Sequence, residues 1–199
     1  MLNSKFVHLH VHSEFSLLDG SNRIKDLPAR AKELGMDAIA ITDHGVMFGA
    51  IDFYKECKAN DVKPIIGCEV YLAPGDMHDQ ETKTIDGRNY YHLILLCKDM
   101  TGYKNLAKLV TLGFTDGYYY KPRIDKEALE KYHEGLICCS ACLAGEVATN
   151  IVMNNLEGAE EAAKWYKSVF GEDYYLEIQN NGIKEQIPVN QKLVQLVVH

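Results

Sequence analysis

Three histidines occupy alternate positions in Phe6-Val7-His8-Leu9-His10-Val11-His12. Residues i and i+2 of an extended strand face the same side, so these rings project together while Val7, Leu9 and Val11 face the other way. Neutral imidazole ligates zinc, manganese and iron, and two rings on one strand face reach a single ion or a close pair of ions. The competing reading is a polar strand face that is rich in histidine for no chemical reason.

A second constellation follows buried apolar runs. Ala38-Ile39-Ala40-Ile41 ends in Thr42-Asp43-His44-Gly45, and in α/β folds the C-terminal end of such a strand opens to the ligand side. A plain capping arrangement of Asp43 and His44 is the alternative. Glu69 ends another hydrophobic run, where an unpaired carboxylate costs on the order of several kcal/mol of desolvation. It needs a cation or a strong donor, and a metal ion is the economical partner. Cys142 stands just past the run 136–140, and its thiolate would favour zinc, whereas Cys138 and Cys139 lie inside the run and read as core. Asp19 precedes Gly20 and taken alone reads as a turn residue.

The apolar spacing predicts the elements that must position these groups. Strands are expected over 6–12, 38–41, 64–71, 92–97, 136–140 and 174–179. Helices are expected over 24–34, 49–59, 102–112, 126–132, 145–153 and 158–170, with a last one from 187. Residues 73–89 read as a polar loop or hairpin tip, and 118–123 as an aromatic loop. Strand–helix alternation implies a parallel α/β sheet, open or closed into a barrel. Histidines at the first two strand ends favour the barrel, which brings all its strand ends to one mouth.

At 199 residues with 47% hydrophobic and 25% charged residues, the chain suits one domain, residues 1–199. A formal net charge of −7 argues against a general duplex-binding surface, which needs many Lys and Arg contacts to phosphate. No apolar run is long enough to cross a bilayer and no signal-peptide pattern opens the chain, so no membrane partner and a cytoplasmic location are expected. The six scattered cysteines suit reduced core thiols.

Taken in order, His8-Leu9-His10-Val11-His12-Ser13, Ser16-Leu17-Leu18-Asp19-Gly20, Ile41-Thr42-Asp43-His44-Gly45, Gly67-Cys68-Glu69-Val70-Tyr71, His92-Leu93-Ile94-Leu95-Leu96, Tyr120-Lys121-Pro122-Arg123-Ile124-Asp125 and Ser140-Ala141-Cys142-Leu143-Ala144-Gly145-Glu146 form an ordered set. Together they resemble the polymerase and histidinol phosphatase (PHP) domain family, in the branch that opens the large subunit of bacterial replicative DNA polymerases. The resemblance implies a distorted, TIM-like, seven-stranded β/α barrel with up to three divalent metals at one mouth, zinc first, with Mn2+ or Fe2+ as alternatives. It implies metal-binding roles for His10, His12, Asp19, His44, Glu69, His92 and Cys142, with Asp43 orienting its neighbour. His8 falls outside the family's pair. His92 precedes its run where the other ligands follow theirs, which a strand of opposite direction would resolve; His78 is the fallback. The family's last motif, Asp-x-His, is missing from a chain ending at His199. The resemblance therefore implies a C-terminally truncated domain, with His199 a cut point or the first residue of a tag.

The implied reaction is phosphoester hydrolysis by water that the metals activate, since no Ser or Cys nucleophile paired with a base is evident. In this branch that points to 3′–5′ exonuclease proofreading, while nucleotidyl transfer belongs to the remaining polymerase domains, which with DNA and a proofreading subunit are the implied partners. The alternatives are a non-catalytic scaffold that docks the proofreading subunit, and a free-standing small-molecule phosphatase of the histidinol phosphatase type. The 118–123 segment is expected either to contact nucleic acid or to pack against protein.

Overall fold

The computed structural model of the chain describes residues 6–17 and 19–196; His199 and Leu18 of the 16–20 motif lie outside the described residues. Its strands are β1 (Ala38–Ile41), β2 (Lys63–Leu72), β3 (Tyr91–Cys97), β4 (Tyr118–Tyr119), β5 (Lys121–Ile124), β6 (Leu136–Cys139) and β7 (Tyr174–Tyr175). Its α-helices are α1 (Leu27–Glu33), α2 (Ala50–Ala59), α3 (Met100–Thr115), α4 (Lys126–Tyr132), α5 (Glu146–Val152), α6 (Leu156–Phe170) and α7 (Gln186–Gln195).

β1 runs parallel to the first half of β2, with Ala38 opposite Lys63 and Ile41 opposite Ile66. The second half of β2 pairs antiparallel with β3, which pairs antiparallel with β6, and β6 is parallel to β7. The expected parallel sheet is corrected to a mixed one: β3 runs antiparallel to both neighbours, so His92 at its start lies at the same end of the sheet as the finish of its neighbours. That is the direction change His92 required, and the long polar loop between β2 and β3 supplies it.

The expected N-terminal strand is corrected. Residues 6–12 run beside β1 without forming a ladder: Ala40 N–H donates to His8 O at 3.0 Å and Thr42 N–H to Val11 O at 2.8 Å. Two steps along β1 thus match three along the segment, an extra residue of the kind that makes a bulge. The Val11 N–H goes to Thr42 Oγ1 at 2.8 Å. The expected loop at 118–123 is also corrected, because β4 and β5 form a hairpin that pairs with the end of β2 through Tyr71 opposite Arg123 and Leu72 opposite Ile124. Of the expected strand 174–179, only Tyr174 and Tyr175 are paired as a strand.

The sheet order puts the N-terminal segment, β1, β2, β3, β6 and β7 side by side in a ring. The ring closes through a side chain, the 2.7 Å bond between His10 Nδ1 and Glu177 Oε1 just past β7. This is a distorted β/α barrel. Strand alternation sends Ala40, Ile94, Leu96 and Cys139 inward, where Ile65 and Ile137 join them in a buried apolar layer. The opposite face packs on helices: β1 against α1 and α2 through Ile39, Ile41, Leu27, Ala31 and Phe53, and the other strands against α3, α5 and α6 in the largest core cluster. Among the described residues no helix is long and apolar enough to cross a membrane. All six cysteines are free thiols.

Candidate metal centre

Above the inner apolar layer, the same inward parity continues into polar residues. His44 follows Ala40 on β1, Glu69 follows Ile65 on β2, and His92 precedes Ile94 on β3. Alternation beyond β6 would turn Cys142 outward, since Cys139 and Ala141 belong to the interior cluster. Ala141 instead adopts φ +62°, a left-handed conformation uncommon for residues with a side chain. That turn brings the Cys142 thiol to 3.9 Å from Glu69 Oε1 and 3.8 Å from His92 Nδ1.

Glu69 is the focus. Its side chain is 1% exposed, and four imidazoles face it: His44 Nδ1 at 2.6 Å and His12 Nε2 at 3.3 Å from Oε2, His92 Nδ1 at 2.8 Å and His10 Nε2 at 3.4 Å from Oε1. Burial alone would raise its pKa, but the surrounding rings outweigh this and hold the carboxyl well below the usual carboxylate range. Burial pulls His10 down, yet Glu177 and Glu69 prevail and raise it to about 10. His44 is raised by the same contest, with Glu69 and then Asp19 opposing burial. The Cys142 thiol is pushed up to about 11 by burial and by the charge of Glu69.

Six of the seven residues expected to bind metal therefore meet at one point. Asp19 stands at the rim, more than half exposed, and accepts from His44 Nε2 at 2.8 Å; His44 thus spans the two carboxylates. Asp43, expected to orient His44, makes no hydrogen bond to its ring among the described residues: the buried carboxylate accepts from Ser13 N–H at 2.6 Å, Ser13 Oγ at 2.7 Å and Ser16 Oγ at 2.7 Å, and Ser16 Oγ in turn accepts from the His44 N–H at 3.1 Å. The fallback ligand His78 is exposed and bonds to Asp76 in the 73–90 loop. His8 is exposed, its ring edge-on to Phe6. Glu177 escapes the sequence analysis, although the argument that singles out Glu69, a carboxylate past an apolar run, applies equally to it.

The donor set fits a divalent cation. His44 Nδ1 and Glu69 Oε2 are buried and have no hydrogen-bond partner among the described residues, although they lie 2.6 Å apart. Two such atoms aimed at one point without hydrogen-bond geometry are disposed as ligands are. Two groups of three, His10, His12 and Glu69, and His44, Glu69 and His92, each bring their ligand atoms within 4.8 Å of one another. Imidazole, carboxylate and thiolate together suit zinc and its first-row neighbours.

The model of the PHP domain family matches residues 8–181. DNA polymerase III subunit alpha of Borreliella burgdorferi is 52% identical over 192 residues, which are 96% of this chain and 17% of that protein. The subunits of the same name from Treponema pallidum and Aquifex aeolicus are each 48% identical, over 98% of this chain and 17% of theirs. The chain thus spans about a sixth of the length of these curated relatives. Among solved structures, an amidohydrolase from Chromobacterium violaceum is similar at a TM-score of 0.39 and 22% identity, over 53% of this chain and 32% of that one. With the family model covering nearly the whole barrel and its site, the chain belongs to the PHP domain family.

Proposed function

We propose that this chain is the N-terminal PHP domain of the alpha subunit of a bacterial DNA polymerase III, and that its own chemistry is divalent-metal-dependent hydrolysis of phosphodiesters at DNA 3′ ends. The observation that carries the reading is the buried Glu69 carboxylate ringed by four imidazoles, with His44 Nδ1 and Glu69 Oε2 left without hydrogen bonds among the described residues. His10, His12, His44, Glu69, His92 and Cys142 would hold up to two or three cations, with Asp19 joining from the rim. Such cations supply activation of water and neutralisation of charge in an in-line displacement at phosphorus. The protein contributes a fixed point of convergence, a dry apolar floor and the carboxylate charge that draws cations in.

The name these relatives share, DNA polymerase III subunit alpha, supports the remaining domains of that subunit and DNA as partners, with polymerisation residing outside this segment; a cytoplasmic setting is part of the same proposal. The test is metal analysis of the chain after dialysis without chelator, followed by a 3′–5′ exonuclease assay on single-stranded DNA with zinc or manganese. Bound metal and chelator-sensitive trimming, both absent in the His10→Ala/His12→Ala chain, are expected. Trimming that survives the double substitution would overturn the site; metal without trimming would favour the scaffold reading.

A further inference from the structure

The proton positions of the two N-terminal histidines can be deduced by counting donors. Ser16 is 1% exposed, and its Oγ meets three groups: the Asp43 carboxylate at 2.7 Å, the His44 backbone N–H at 3.1 Å and His12 Nδ1 at 3.0 Å. A hydroxyl carries one proton. The carboxylate can only accept, so the Ser16 proton goes to Asp43, and the hydroxyl oxygen must accept from both His44 N–H and His12 Nδ1–H. His12 therefore carries its proton on Nδ1, and its Nε2 lone pair points at Glu69 and His10. In His10 the outward Nδ1 is likewise the nitrogen that keeps its proton, by another route. Its Nδ1 donates to Glu177 Oε1 at 2.7 Å, and that carboxylate accepts from the Gln179 amide at 2.7 Å, while the Glu177 backbone N–H donates to Ser140 Oγ at 2.8 Å. The Gln179 amide nitrogen also lies 3.1 Å from His10 Nδ1; with both groups donors, this contact leaves Glu177 as the acceptor.

We propose that Ser16, backed by Asp43, and Glu177 are positioning residues that fix both imidazoles with Nδ1 protonated, so that the Nε2 atoms of His10 and His12, 3.2 Å apart, present their lone pairs to one divalent cation. The role rests on the metal-centre reading, but the tautomer does not. A bond to the outward nitrogen fixes the tautomer and the ring plane and raises ligand basicity, and its loss typically weakens metal binding 10- to 100-fold. Ser16 supplies such a bond indirectly, by passing the charge of buried Asp43 to the outward face of His12.

The experiment is two-bond 15N–1H correlation of histidine in the full chain, free of metal and mildly alkaline, with zinc affinity then measured against a chromophoric chelator. The native chain is expected to show His12 as the Nδ1–H tautomer. Ser16→Ala should release it toward the Nε2–H form common in free histidine and weaken zinc roughly 10- to 100-fold, while Ser16→Thr, which keeps the hydroxyl, restores both. Glu177→Gln, which keeps an acceptor but loses the charge, should weaken zinc less than Glu177→Ala. An Nε2–H tautomer for His12 in the native chain overturns the proposal without any variant needing to fold, as does Ser16→Ala with native zinc affinity. An Nδ1–H tautomer in a native chain that takes up no zinc supports the tautomer assignment and sinks the metal-centre reading instead.

Discussion

His10 Nε2 and His12 Nε2 stand 3.2 Å apart, each on a ring whose other nitrogen is already bonded outward, to Glu177 and Ser16 respectively. Two bare lone pairs at that separation repel, so a proton or a metal ion must lie between them. Without metal, the Glu177 and Glu69 carboxylates beside His10 outweigh burial and raise its pKa to about 10, so that ring holds a proton on its inward nitrogen below that pH. Replacing both rings by alanine removes two donors from one three-residue group while leaving the inner apolar layer untouched. The expected outcome is loss of at least one metal per chain by elemental analysis, with thermal unfolding in chelator shifted by no more than a few degrees. Undiminished zinc in the double variant would place the metal elsewhere.

The same competition sets a pH dependence. The pKa of His10 is about 10 in the folded, metal-free chain against an ordinary 6.5. Its protonated form therefore stabilises the metal-free fold fully below about 6.5, and that contribution fades as pH rises toward about 10. Glu69 works in the opposite sense: its lowered pKa contributes above the ordinary 4.5 and is lost as pH falls. Metal binding must displace the His10 proton, so zinc affinity should climb with pH up to about 10, by about tenfold per pH unit for one displaced proton, and level off above it. Chelator competition at stepped pH, alongside urea unfolding in excess chelator, reads both trends. Zinc affinity that stays flat over that range would mean that no proton is exchanged for the ion.

Gly45 offers a test of how the site is held from behind. It follows His44 directly, has φ +65°, and a Cβ there would come within 2.9 Å of both the Pro122 ring and the Tyr71 ring. Gly45→Ala thus meets two separate penalties, a left-handed backbone and a clash with Pro122 and with Tyr71, the ring that stacks on His44. A loss of about 1–3 kcal/mol is expected in urea unfolding, together with weaker zinc binding because His44 is displaced. Gly35→Ala is the control: it shares the left-handed φ, +79°, with nothing within 4 Å. It should lose stability without loss of zinc, and equal zinc loss in both variants would contradict the packing argument.

The parts of the site legible in the sequence are those fixed by local rules. His44 and Glu69 announce themselves because each follows an apolar run that only a buried strand explains. His92 is legible once the polar stretch before it is allowed to reverse the chain. What escapes depends on contacts between distant residues. The alternation over 6–12 is a true strand pattern, but the Thr42 hydroxyl takes the Val11 N–H, and the ladder that pattern promises is not formed. Asp43 is buried as its position suggests, yet its partners come from 27 and 30 residues earlier in the chain, beyond the reach of periodicity. Glu177 closes the barrel by bonding a residue 167 positions away. Its neighbours Ile178 and Gln179 continue a run that reads as strand but is unpaired past Tyr175.

Arg123 lies in the aromatic hairpin, and its environment sets a prediction about what it holds. It is 1% exposed and donates to four backbone carbonyls: Met77 at 2.8 Å, Asp79 at 3.0 Å, Gly117 at 3.3 Å and Asn89 at 3.3 Å. The guanidinium is committed inside the protein, and so unavailable to phosphate. Three of those carbonyls belong to the 73–90 loop, whose last residue, Tyr90, stacks on His92 at 5.9 Å between ring centroids. Arg123→Met should leave the carbonyls unsatisfied and cost about 3 kcal/mol or more, with the loop becoming the first site of proteolytic cleavage. Arg123→Lys should recover little, since an ammonium cannot reproduce the planar fork. The metal group of His10, His12 and Glu69 should persist in the folded fraction while the group containing His92 weakens, seen as a fall in metal stoichiometry. If Arg123→Met keeps native stability and full metal content, the loop is held by other contacts and the hairpin does not support the site.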